Sequence, residues 1–118
     1  MAKAPAIVFA DTDTREGLGR VVNALTMAKE FKEAGDEALV TFDGAGTGWV
    51  GELSREDHSY HRLFGDVRDV LGGACSDCAG AYGVKEQMQQ AGVELLEEYE
   101  GHPSVRSLVN DGYQVVTF

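Results

Sequence analysis

The sequence predicts an α/β fold, a parallel sheet with helices on both faces. Three observations carry this. Short apolar runs rich in strand formers alternate with longer stretches of helical periodicity. The runs lack the polar alternation of a half-exposed strand, as expected where both faces of a sheet are covered. Turn and capping residues, chiefly Gly and Asp, fall between the two kinds of segment.

Taken in order, Ala6-Ile7-Val8-Phe9-Ala10 reads as the first strand, ended by Asp11-Thr12-Asp13-Thr14. A helix is predicted over 16–34, where Leu18, Val21, Val22, Leu25 and Ala28 recur at spacings of three and four. Gly35-Asp36 stops it. Residues 38–42 form the second strand. The glycine-rich loop Asp43-Gly44-Ala45-Gly46-Thr47-Gly48 and a short helix over 49–53 follow. A helix over 60–71 would bury Leu63, Phe64, Val67, Val70 and Leu71, with Gly72-Gly73 breaking it. Residues 73–75 end a short third strand, and a helix runs over 77–90. A weak fourth strand lies within 93–99. Pro103 suits the first turn of a helix ending near Asp111-Gly112, and 113–118 form a fifth strand. Such units imply right-handed crossovers. Ligands and chemistry then gather at the carboxyl ends of the strands. That edge holds Asp11 to Thr14, Asp43 to Trp49, Cys75 to Cys78, and Gly101-His102-Pro103.

The chain has 118 residues, which makes a single domain over 1–118. Its 43% hydrophobic and 25% charged residues exclude a disordered tail or low-complexity filament. A core of this size needs no disulfide or metal to fold. Twenty acidic against ten basic residues, net −10, disfavour nucleic acid and anionic membranes as partners. No window reaches the apolar length of a membrane span, and the start lacks a signal-peptide pattern. The expected location is cytoplasmic.

The two cysteines, Cys75 and Cys78, form a CxxC at a strand-to-helix turn. In a cytosolic chain that spacing points to redox, sulfur or metal chemistry. Free N–H groups at such a turn favour an anion, so the position is expected to lower the Cys75 pKa. Asp77 works against this by like charge. The small residues Gly72, Gly73, Ala74, Ala79, Gly80 and Ala81 leave space around the sulfur. Two cysteines packing a core is the bland alternative.

The turn Ala74-Cys75-Ser76-Asp77-Cys78-Ala79-Gly80-Ala81-Tyr82-Gly83-Val84 resembles the cysteine turn of the DsrE/DsrF-like sulfur-relay family. There a cysteine ends a strand, small residues follow, and a Gly-hydrophobic pair, here Gly83-Val84, comes eight residues later. Asp43-Gly44-Ala45-Gly46, Gly101-His102-Pro103-Ser104 and the closing Gly112 to Phe118 are also similar, so the resemblance spans nearly the whole chain and is strongest to the small stand-alone members. It implies a three-layer α/β/α sandwich on a mainly parallel five-stranded sheet, assembled as a homotrimer or homohexamer. It also implies that Cys75 takes up sulfur as a persulfide and passes it to a partner protein, by the chemistry of thiol–disulfide exchange. Such a protein is at most a sulfurtransferase-type carrier, with no cofactor. It needs an exposed, low-pKa thiolate. Cys78 departs from the pattern, as a resolving thiol or as packing.

Other readings remain open. The CxxC suits a dithiol redox switch, although no Trp flanks it and no proline placement matches a thioredoxin. His58 and His61, with Cys75 and Cys78, have donors for a tetrahedral zinc site. Either histidine, as imidazolium, would instead stabilise a Cys75 thiolate. Asp11 and Asp13 suit a cation or, more simply, helix capping. Trp49 would pack across the cysteine site or a subunit interface. The loop from Asp43 to Gly48 lacks the Lys of a phosphate-binding loop. His102, before Pro103, has the default role of a turn residue. A fully buried Cys75 would favour a binding module without sulfur activity.

Overall fold

Apolar residues on successive positions make the first strand, β1, Lys3–Val8, of which the last five residues are buried. The structure is a computed structural model and describes residues 1–118. Thr14 caps the long helix α1, Arg15–Glu33, by accepting the Gly17 N–H. Val21, Ala24, Leu25 and Ala28 form its buried stripe. The chain returns as β2, Glu37–Phe42, then makes a 3₁₀ turn over Gly44–Gly48 and a short helix, α2, Trp49–Ser54.

Beyond α2 come α3, His61–Asp66, a 3₁₀ turn over Arg68–Val70, and β3, Leu71–Cys75. Two helices follow, α4, Ser76–Ala81, and α5, Lys85–Ala91. The remainder is β4, Leu95–Leu96, α6, Val105–Asn110, and β5, Val116–Thr117. The sheet order is β4-β3-β2-β1-β5, with every pairing parallel. This is the α/β architecture expected, a five-stranded sheet with flanking helices, and its sheet is parallel throughout.

The core is one-sided. Its 18 buried apolar residues include Val8, Leu25, Val40, Phe42, Trp49, Leu53, Phe64 and Met88, and none comes from α6 or β5. Phe42 and Phe64 meet at a centroid distance of 6.4 Å, joining β2 to α3. The opposite face carries Leu39, Thr41 and Gly72 under α6, with Val105 and Val109 of that helix exposed.

Several expected elements differ. The helix over 60–71 ends at Asp66, and Gly72-Gly73 are strand residues rather than a helix stop. The β2–β3 register runs Val40↔Leu71 and then Thr41↔Gly73, so Gly72 is an extra residue in β3. Gly73 has φ +137°, and a Cβ there would stand 2.6 Å from the Glu94 carbonyl oxygen. The helix over 77–90 is two helices, separated where Gly83 takes φ +70°. The fourth and fifth strands pair over two residues each, less than the apolar runs suggested. Phe9 lies beyond β1 and is 47% exposed.

Candidate functional site

Three strand ends build one cluster at the carboxyl edge of the sheet. At the end of β2, Asp43 caps the 3₁₀ turn, its Oδ1 accepting the Gly44 N–H at 2.8 Å. At the end of β3, Cys75 is the N-cap of α4, and its Sγ accepts the Cys78 N–H at 3.4 Å. The Cys78 thiol reaches across to Asp43 Oδ1 at 3.3 Å. The third contribution comes after β4.

There the chain makes a tight reversal. Tyr99 and His102 exchange both backbone hydrogen bonds at 2.9 Å, around Glu100 (φ +50°) and Gly101 (φ +84°). Positive φ at both central residues is the signature of a type I′ turn. Gly101 suits it, whereas Glu100 occupies a region that costs a non-glycine residue about 1 kcal/mol. The Asp77 N–H donates to the Gly101 carbonyl at 2.9 Å, docking the turn onto α4. His102 is thereby set with Nδ1 3.2 Å from Cys75 Sγ and Nε2 3.6 Å from Asp77 Oδ2. Sulfur, imidazole and carboxylate stand in sequence, an arrangement in which a histidine can exchange a proton with a thiol while the carboxylate orients the ring.

Burial opposes the expected thiolate. Cys75 is completely buried, while Cys78 is partly exposed, and both are free thiols. Burial pushes the Cys75 thiol up to about 12. The Cys78 N–H lowers it, as the turn position implied, but the Cys78 thiol and the Asp43 charge add to the rise. A helix of six residues ends too soon to offset desolvation. The expectation of a lowered pKa and an exposed sulfur is therefore corrected, and full burial is the condition that favours a binding module.

The other candidates lie elsewhere. Asp11 Oδ1 accepts from the Asp13 N–H, the Thr14 N–H and the Thr14 hydroxyl at 2.7–3.2 Å. Those bonds, the hydroxyl first, hold its carboxyl below the usual range. It acts as a turn and capping residue beside a cleft of about 360 Å³ between the ends of β1 and β5. Trp49 is a core residue whose Nε1 donates to the Ala10 carbonyl at 2.9 Å. The His58 ring lies edge-on to Trp49 and its Nδ1 accepts the Tyr60 N–H. His61 Nδ1 is 2.8 Å from the Leu53 carbonyl oxygen. Neither histidine joins the cysteines. The metal-type donors that converge are Asp43, Cys75, Cys78 and His102, all within 4.8 Å of one another. From the sequence His102 reads as a turn residue and Asp77 only as a like charge beside the thiol, so neither stands among the site candidates. The available signal was Gly101-His102-Pro103 at the functional edge.

Fold and site together define a parallel α/β protein with a two-cysteine, histidine and carboxylate cluster at the sheet's carboxyl edge. An uncharacterized protein of Methanocaldococcus jannaschii, MJ0733, is 29% identical over 96 residues, covering 81% of this chain and 78% of that one. A conserved protein of unknown function from Bacteroides thetaiotaomicron, BT1422, shares the fold, with a TM-score of 0.65 at 15% identity over 98% of this chain and 95% of the other. No family model matches the chain. No helix is long and apolar enough to cross a membrane.

Proposed function

We propose that the protein is a DsrE/DsrF-like sulfur carrier that holds a persulfide on Cys75 and delivers it to a partner protein. The observation that supports this most is the 3.2 Å contact between Cys75 Sγ and His102 Nδ1, beside a second thiol. His102 takes the thiol proton, and the sulfur attacks the outer sulfur of a persulfide donor. One S–S bond forms on Cys75 and the donor's S–S bond breaks. The departing thiolate recovers the proton from His102, so no external oxidant is needed. Transfer to the acceptor is the same exchange in reverse. Attack by Cys78 on the Cys75 persulfide would instead form a disulfide and release sulfide.

Assembly as a homotrimer or homohexamer and a cytoplasmic location belong to the same proposal. The exposed Val105 and Val109 on the thinly covered side favour assembly. With net charge −10, a docking partner presents a basic face, and added salt weakens the complex. Loading with a polysulfide, followed by intact mass measurement, tests the reading: the chain gains one sulfur atom, and a thiol reductant removes it.

The burial of Cys75 favours a second reading, in which the CxxC is a dithiol switch or a binding module without sulfur transfer. A measured reduction potential, with no sulfur uptake, would select it.

A further inference from the structure

Three segments that are distant in sequence bring four metal-type donors to a common point. Asp43 follows β2, Cys75 ends β3, Cys78 lies in the first turn of α4, and His102 closes the turn after β4. The carboxylate oxygen, two sulfurs and ring nitrogen all lie within 4.8 Å of one another. A zinc ion with bonds of about 2.0–2.3 Å to N, O and S sets tetrahedral neighbours roughly 3.3–3.8 Å apart. The pairs Cys75–His102 at 3.2 Å and Cys78–Asp43 at 3.3 Å are already near that spacing. Closing the widest pair needs a contraction of about 1 Å.

From this convergence we infer that Asp43, Cys75, Cys78 and His102 form a zinc-binding site. Two thiolates select a borderline-soft cation over calcium or magnesium, which take oxygen ligands. His102 presents Nδ1 to the cluster while Nε2 faces Asp77 Oδ2 at 3.6 Å, the carboxylate–histidine–metal arrangement that orients a ligating imidazole. The Cys78 N–H directed at Cys75 Sγ stabilises a thiolate ligand. Only Cys75 is fully buried, and the other three donors are partly exposed, so the ion has a route in from solvent. Binding releases the two thiol protons to solvent and changes no oxidation state. The set differs from the one the sequence suggested. His58 and His61 are replaced by His102 and Asp43.

The site stands on this geometry whether or not Cys75 carries sulfur. The test uses the full chain, reduced and stripped of metal, titrated with zinc against a chromophoric chelator. Cobalt, as a spectroscopic substitute, is added in parallel. One equivalent of zinc is expected per chain, with a thiolate-to-cobalt charge-transfer band and tetrahedral d–d absorption. His102→Ala, Asp43→Asn and Cys78→Ser each weaken zinc binding at least about tenfold. His58→Ala and His61→Ala leave it unchanged. These variants alter partly exposed side chains, and circular dichroism checks that each is folded; Cys75→Ser is read only if it passes the same check. Absence of stoichiometric zinc, binding insensitive to His102→Ala, or binding lost with His58→Ala or His61→Ala would overturn the site. Sulfur uptake, read by mass on the metal-free chain, is a separate measurement, so either idea can fail alone.

Discussion

His102 Nδ1 lies 3.2 Å from Cys75 Sγ, although the two residues are 27 positions apart in the chain. The contact depends on the Tyr99–His102 turn and on the hydrogen bond that its Gly101 carbonyl accepts from the N–H of Asp77, the residue before Cys78 in α4. It sets an imidazole nitrogen beside a sulfur that burial holds in its neutral form.

His102 is therefore expected to govern the rate of sulfur uptake. His102→Ala slows persulfide formation on Cys75 by roughly 100-fold, the usual range for loss of a general base. Asp77→Asn, which removes the carboxylate facing His102 Nε2, costs roughly tenfold. Time-resolved intact mass on metal-free protein reads both. Equal rates in His102→Ala and the parent chain would remove His102 from the chemistry.

The two thiols should differ in reactivity and pH response. A small alkylating reagent at neutral pH labels the partly exposed Cys78 before the buried Cys75. The folded Cys75 value of about 12 exceeds its ordinary value of 9.0. The folded chain thus keeps this proton where the unfolded chain has begun to lose it. The associated stability is fully present below about pH 9 and is lost as pH rises toward 12. Urea midpoints of metal-free protein should fall over that window, and less steeply in Cys75→Ala. Equal slopes would contradict the assignment.

The glycine that follows the bulge in β3 leads into Cys75. Gly73→Ala places a Cβ against the Glu94 carbonyl oxygen at a φ of +137°, and should lower stability by about 1–3 kcal/mol. Gly65→Ala, in α3 with nothing within 4 Å of the added carbon, should be neutral or stabilise by about 0.5–1 kcal/mol. Chemical denaturation separates the two, and a tolerated Gly73→Ala would show that the strand can re-form without its bulge.

The strands were legible because their apolar runs bear on both faces of a parallel sheet, as Ala6, Ile7 and Val8 do in β1. Gly72-Gly73 misled because a helix stop and a strand bulge have the same residue signature. Leu95–Leu96 and Val116–Thr117 are shorter than their apolar runs because each is an edge strand with one neighbour. At the site, the CxxC spacing and the β2 loop pointed to Cys75, Cys78 and Asp43. His102 was not assignable, because its approach needs Glu100 in a left-handed conformation that the sequence does not favour. The pKa expectation weighed the turn's N–H groups correctly in sign. It lacked the burial of Cys75, which tertiary packing decides.

The most direct test of the account is the position of sulfur after loading. Metal-free protein is treated with a polysulfide, capped and digested, and fragmentation is read on either side of Asp77. The expected result is one added sulfur on Cys75, lost in Cys75→Ser and retained in Cys78→Ser. No added sulfur, or sulfur that survives Cys75→Ser and disappears in Cys78→Ser, would contradict it.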